Sequence, residues 1–216
     1  MQLVVCTFCK GNRKKSGKNP KGIQRYQCTK RGRYQQSEYR YQACRPSIDD
    51  WIIRLNRETC GISSISRLLK ISKTTVIRRI KLLSSQINKP LIYKGKTYEV
   101  DELKTYVKKK ADECWVCSAV ERQTGNVADI FVGRRTKRAL GKVLDTLKLS
   151  EATDGLDIYR SLLPKETHKV RLYHINKVER KNLDLRNCLK RLTRRTICYS
   201  KSKTMLEASV RLCLWG

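Results

Sequence analysis

Nowhere in its 216 residues does the chain carry an apolar run near the ~18 residues a membrane-spanning helix needs. The opening apolar stretch, Leu3 to Cys6, is also too short for the core of a signal peptide. No long amphipathic segment with a bulky apolar face is present to hold the chain on a lipid surface. Aromatic residues make up only 7%, which leaves few platforms for stacking unpaired bases and sets single-stranded RNA behind duplex DNA as a partner. Acids are scarce too: 19 Asp+Glu stand against 49 Lys+Arg, a formal charge of +30. A chain this positive repels itself unless a polyanion neutralises it, and its cations are spread along the whole length rather than in one tail. We therefore expect a cytoplasmic, nucleic-acid-binding protein associated with the nucleoid.

What is present supports a folded chain. Hydrophobic residues reach 39%, enough for a core. Ten cysteines without a secretory leader read as metal ligands or buried thiols rather than disulfides. No internal repeat is evident. Residues 1–45 carry twelve Lys/Arg and one acid, Glu38, between Gly and Asn turns, and read as a loop-rich basic unit. Within a second unit, 46–90, residues 47–87 read as helical, with Ile and Leu at three- and four-residue steps until Asn88-Lys89-Pro90 stops the pattern.

From 91 to 216 the period shortens. Strands are expected at Lys96–Leu103, Cys114–Glu121, Asn126–Val132, Glu151–Thr153 and His168–Tyr173. Helices are expected at Thr136–Leu147, Leu156–Leu163 and Val178–Ile197. That order predicts an α/β (α+β) fold, a mixed sheet flanked by helices.

Three groups of residues carry chemistry. Cys6-x-x-Cys9 places two thiols on one side of a turn, suited to tetrahedral zinc, with Cys28 as a third ligand. A second pair would put the fourth at position 31, which is Arg31; Cys44 is the alternative. Cys114 and Cys117 are three apart on a strand, point to opposite faces and read as packed thiols.

Ile62–Lys70 and Thr74–Leu83 flank Ile71-Ser72-Lys73 as in a helix-turn-helix, with Ser72 as N-cap and Lys70 where the turn prefers glycine. Its second helix would present Lys73, Thr75, Arg78, Arg79 and Lys81 to duplex DNA.

Asp101, Asp154 and Glu179 stand at two strand ends and a helix start. Such a set could hold two divalent ions for phosphodiester chemistry. Arg186, two helical turns beyond Glu179, could hold the phosphate. Glu99, Glu102 and Asp157 compete as ligands, Glu99 being the first substitute for Asp101. His168 and His174 read as peripheral. From Lys177 to Lys203 there are ten Lys/Arg and two acids, so Arg186 and Lys190 are expected to track DNA.

Several stretches resemble one family. They are Tyr98-Glu-Val-Asp-Glu102, Thr153-Asp-Gly-Leu-Asp-Ile-Tyr159 with Leu162-Leu-Pro164, and Val178-Glu-Arg-Lys-Asn-Leu-Asp-Leu-Arg186. The last continues from Leu189 through Ser202. Together they look like bacterial insertion-sequence transposases of the insertion-sequence-one family. The resemblance implies a zinc knuckle, a helix-turn-helix, and a ribonuclease-H-like domain whose DDE triad is Asp101, Asp154 and Glu179. It implies two magnesium ions, or manganese in their place. It also implies cleavage and strand transfer at terminal inverted repeats by a homo-oligomer on DNA. The chain departs from the pattern at Arg31, and at Leu103-Lys104, where a polar residue and then Trp are expected. A non-enzymatic DNA-binding repressor, or an inactive transposase remnant, is the alternative.

Overall fold

The computed structural model describes residues 5–93, 96–147, 151–153, 168–170, 176–193 and 195–216. The basic N-terminal segment forms a sheet rather than loops. Strands β1 (Arg13–Lys18), β2 (Gln24–Cys28) and β3 (Tyr34–Gln36) pair antiparallel in that order. Their side chains are mostly polar on both faces, so no apolar alternation announced them. The β1–β2 turn is built by Asn19, whose Oδ1 accepts from the backbone N–H of Lys21 and Ile23, both at 2.9 Å. Gly22 supplies the positive φ of 79° that this turn requires.

Three helices follow: α1 (Ile48–Arg57), α2 (Ile62–Leu69) and α3 (Lys73–Gln86). Ile52, Ile65, Ile71, Val76 and Ile80 meet at their centre. Lys70 ends α2 at φ 50°, a left-handed conformation in which a Cβ is strained and glycine is at home. Ser66 is small enough to let the turn close, and its Oγ donates to the Ile71 carbonyl at 2.6 Å. Ser72 caps α3, accepting from the Thr75 N–H at 3.1 Å.

The second sheet has five strands in the order β6-β5-β4-β7-β8. Strands β4 (Tyr98–Tyr106), β5 (Glu113–Glu121) and β6 (Val127–Gly133) run antiparallel. Strands β7 (Glu151–Thr153) and β8 (His168–Val170) extend β4 in parallel. Helix α4 (Lys137–Leu147) covers one face, packing on Tyr98, Val100, Cys117 and Ala119. Helices α5 (Asn176–Cys188) and α6 (Lys203–Trp215) cover the other, on Leu103, Val116, Val120 and Ile130. The expected mixed sheet with flanking helices is thus present. Cys114 and Cys117 fall in the cores on opposite faces, as the strand period requires.

Two expectations need correction. The basic helix stops at Cys188, not Ile197. A 3-10 turn over Lys190–Leu192 follows, because the chain must bury Leu189, Arg191 and Leu192, which no single helical stripe can do. Arg191 donates from Nη1 to Ser200 Oγ at 2.8 Å, and burial lowers its pKa below the usual arginine range. The sequence also gave no warning of α6. It is buried on nearly every side, so only a narrow polar line, Thr204, Glu207 and Arg211, marks its period. Its Met205, Ala208 and Leu212 complete the core of α1–α3, while Leu206 and Val210 belong to the core of the large sheet. The expected helix at Leu156–Leu163 lies outside the described residues.

Candidate active site and nucleic-acid interface

On β4, alternate residues Glu99, Asp101 and Leu103 face α5. Two residues of strand advance about 6.6 Å and four residues of helix about 6 Å, so successive inward side chains meet successive helical turns. Glu99 meets the first turn. Its Oε2 accepts from the backbone N–H of Lys177 at 2.9 Å and of Val178 at 3.1 Å. Those donors have no partner within their own helix, and a carboxylate also suits the positive end of the helix dipole. The other oxygen lies 3.6 Å from Arg122 Nε. Glu99 is 1% exposed. The nearest substitute for Asp101 is thus engaged in holding the helix that carries Glu179.

Asp101 meets the next turn. Its Oδ2 accepts from Asn182 Nδ2 at 2.8 Å, and Asn182 Oδ1 accepts from Ser118 Oγ at 3.2 Å. Ser118 is the cross-strand partner of Asp101 and is fully buried. A Ser–Asn–Asp chain therefore fixes one oxygen of Asp101. Beyond it a cleft of about 230 Å³ is lined by Asp101, Glu102, Glu179, Asn182 and Arg186. Glu179, Asn182 and Arg186 are three and four residues apart and share one helical face. Asp101 and Glu179 thus line one cleft with Arg186. Asp154 and Asp157 lie outside the described residues, as does His174. His168 begins β8. Glu102 borders the cleft, but its carboxylate turns to the other face of β4, 3.7 Å from Arg135 Nε.

Leu103, one of the departures from the family pattern, is 1% exposed and fills the core beside Asp101. Lys104 pairs with Glu113 and lies 5.6 Å from the ring centroid of Trp115, its cross-strand neighbour. Neither removes a carboxylate from the cleft.

The thiols of Cys6, Cys9 and Cys28 gather within 4.8 Å of one another, with Cys9 and Cys28 at 3.5 Å. Burial opposes ionisation of Cys6, but N–H groups of Phe8 and Cys9 and the other two thiols outweigh it and bring its pKa down from 9.0 to about 6. For Cys9 the Gly11 N–H favours the thiolate, yet the Cys28 thiol and burial prevail and raise it. A thiolate at Cys6 with two further sulfurs within reach is a site a soft divalent ion can complete. The set fits zinc with three sulfurs, one short of a closed structural site. Among the described residues Cys44 is not part of the group; it lies exposed in a 3-10 turn, Gln42–Cys44. Gln35 Nε2 instead approaches Cys6 Sγ at 3.2 Å.

On α3, Lys73, Arg78 and Lys81 are exposed. Thr75 is half-buried and bonded to Ser72 and to the Tyr41 hydroxyl. Arg79 is held at 3.0 Å from Asp49 and donates at 3.0 Å to the Ala43 carbonyl, so it braces α3 against α1. Lys190 is exposed on the turn after α5, near Arg186 in sequence but off its helix.

Sequence reasoning missed the roles of Asn182 and Ser118. The signal was available for Asn182, which stands three residues from Glu179 and four from Arg186. Ser118 needed the strand register.

These features define a mixed α/β protein with a carboxylate cleft at one sheet face and a basic helical unit beside it. Residues 96–212 match the sequence model of the IS1 transposase family, and the chain belongs to that family. It is 33% identical over 108 residues to the insertion element IS1 2 protein InsB of Escherichia coli (strain K12). That match covers 48% of this chain and 65% of the relative. It is 35% identical over 113 residues to the iso-IS1n protein InsB of Shigella dysenteriae, covering 50% and 86%. It is 34% identical over 108 residues to the IS1 protein InsB of Shigella flexneri, covering 48% and 82%. The chain thus spans just under two thirds of the E. coli relative it matches. Among the described residues no helix is long and apolar enough to cross a membrane.

Proposed function

We propose that the chain is a DNA transposase that binds the terminal inverted repeats of an insertion sequence and catalyses cleavage and strand transfer. The observation that carries this reading is the cleft in which Asp101, Glu179 and Arg186 converge within the stretch that matches the family. The strand order, three antiparallel strands continued by two parallel ones, supports a ribonuclease-H-like fold for residues 91–216. Residues 1–45 would be a zinc knuckle and 46–90 a helix-turn-helix.

Asp101, Glu179 and Asp154 would hold two magnesium or manganese ions. Hard oxygen ligands suit such ions, and Asp101 keeps its orientation through Asn182. Bound there, the ions would supply charge stabilisation for the attacking and leaving oxygens of a phosphodiester. Arg186 would hold the phosphate by paired N–H donors. Lys73, Arg78 and Lys81 would meet DNA along α3, with Thr75 and Arg79 placing that helix. Lys190 would extend the basic track from Arg186. Joining two element ends requires a homo-oligomer on DNA, in a bacterial cytoplasm at the nucleoid.

The test is nicking and strand transfer on supercoiled plasmid carrying the element ends, with magnesium or manganese. Wild type should give metal-dependent products, and Asp154→Asn and Glu179→Gln should give none while still binding DNA. Silence from all three with binding intact would establish a DNA-binding repressor or an inactive remnant instead.

A further inference from the structure

A cleft of about 780 Å³ separates the small N-terminal sheet from α3, and Phe8, Arg31, Arg33, Asp49, Arg78 and Arg79 line it. Four guanidinium groups therefore face one carboxylate. That carboxylate is already taken, since Asp49 lies 3.0 Å from Arg79. Arg31, Arg33 and Arg78 are exposed, and among the described residues no acid lies within ion-pair range of them. Arg33 is braced over the Phe8 ring, 5.8 Å from its centroid. Two arginines from one module and one from another around one cleft repel each other unless an anion joins them. Guanidinium forks match phosphate oxygens in pairs.

Arg31 stands where a fourth cysteine would complete the knuckle, yet its turn is intact. The Gly32 N–H donates to the Cys28 carbonyl at 2.9 Å and the Cys28 N–H to the Arg33 carbonyl at 2.9 Å. The side chain lines the cleft against α3 and is not part of the thiol group.

We propose that Arg31, Arg33 and Arg78 form a clamp for backbone phosphates of duplex DNA beside the groove that α3 enters. At position 31 the chain has exchanged a metal ligand for a DNA contact. The clamp rests on the DNA-binding reading of α3 given above. It couples the two N-terminal modules through the ligand, so the knuckle grips the backbone while α3 addresses the bases.

The experiment is fluorescence anisotropy of a labelled duplex carrying the element end across a salt series, with zinc per chain measured on the same samples. Removing one phosphate contact makes the salt slope of log affinity shallower by about 1. Arg31→Ala should show that loss, Arg31→Lys should largely keep the wild-type slope, and Arg138→Ala, which removes the same charge from α4, should keep it entirely. Arg31→Cys is the decisive variant: it should bind more zinc than wild type and bind DNA with the shallower slope. Should Arg31→Cys gain zinc and hold DNA at the wild-type slope or more tightly, Arg31 is merely a lost ligand and the clamp is wrong. Equal losses from Arg31→Ala and Arg138→Ala also overturn it, as would a slope in Arg31→Ala unchanged from wild type. Absence of salt-dependent duplex binding by wild type would overturn the DNA-binding reading along with the clamp.

Discussion

Replacing Glu99 tests whether a buried carboxylate sets the position of the helix bearing Glu179. In Glu99→Ala the Lys177 and Val178 N–H groups lose their acceptor inside the protein, where Glu99 is 1% exposed. Loss of a helix cap costs about 1–2 kcal/mol, and a hydrogen bond to a charged group contributes about 1.5–3 kcal/mol. The two bonds share one oxygen and do not add fully, so the loss should be about 2–4 kcal/mol. For a chain of this size that corresponds to roughly 4–16 °C in Tm. Glu99→Gln keeps a carbonyl acceptor for the same two donors and gives up only the charge, and should lose about 1 kcal/mol. Arg122 is a third exposed and can turn to water, so it adds little in either variant. Urea unfolding followed by circular dichroism gives the stabilities. Strand-transfer rate against magnesium concentration, measured well below the Tm, then reports the site: Glu99→Ala should need more metal, because Glu179 begins the turn that has lost its anchor. An unfolding midpoint in Glu99→Ala equal to wild type would refute the capping argument. A normal metal requirement in a destabilised variant would show that the cap stabilises α5 without positioning Glu179.

Three further outcomes follow from named contacts. Asn182→Leu should leave Asp101 Oδ2 and Ser118 Oγ without their shared partner and raise the metal concentration for half-maximal cleavage, read independently by weaker terbium binding in a titration of its sensitised luminescence; an unchanged terbium titration would sink the relay. Lys70→Gly should relieve the left-handed turn at φ 50° and stabilise the chain by up to about 1 kcal/mol in urea unfolding, the gain being trimmed by glycine's freer unfolded state; a loss of stability would contradict it. Between pH of about 6 and 9, Cys6 is a thiolate when folded and a thiol when unfolded, so the unfolded chain binds the extra proton and the metal-free protein should become more stable as pH rises through that window. The gain is lost as pH falls through the folded value. Cys9, held above its ordinary value, opposes the gain only above the window. Thermal melts in chelator should show the rise in wild type and not in Cys6→Ser.

Much of the large sheet was legible because its strands are short, apolar, β-branched runs, buried on both faces in β5 and β6, that end at marked turns. One such turn is Gln123-Thr124-Gly125-Asn126 between β5 and β6, with Gly125 at φ 74°. Helix period alone puts Glu179 and Arg186 on one face, whereas nothing in the strand or helix period brings Asp101 to them, and only the family resemblance grouped Asp101 with Glu179. The small sheet was not legible, since its stability lies in hydrogen bonds and a thiol group rather than an apolar stripe. Nor was the role of Glu99. Strand alternation put it on the face of Asp101, and only the third dimension shows that the start of α5 arrives there before any ligand could. Arg79 shows the same limit: its spacing on α3 reads as a DNA contact, and only the fold shows that Asp49 of α1 is set against it.

Helix α6 decides whether the N-terminal helices and the large sheet behave as one unit. Leu212 is fully buried among α1–α3, while Leu206 and Val210 lie in the core of the sheet, so one rigid rod is inserted in both. Polar ties reinforce it: Asn56 Nδ2 donates to the Ser209 carbonyl at 3.0 Å, Arg211 donates to the Ile87 carbonyl at 2.9 Å, and the Thr59 N–H donates to the Cys188 carbonyl at 2.9 Å. Unfolding α1–α3 alone would strip the apolar cover from one side of α6, and a 13-residue helix has little stability in water without packing. Both regions should therefore unfold together. Trp51 reports α1 and Trp115 reports β5, and variants retaining only one of the two beside Trp215→Phe give separate fluorescence probes. Their urea transitions should coincide in wild type. Leu212→Ala, although it touches only the helical core, should shift both by the same amount, about 2–5 kcal/mol. If the Trp51 transition moves alone, α6 does not couple the regions, and α1–α3 is an independent domain that merely rests on the sheet.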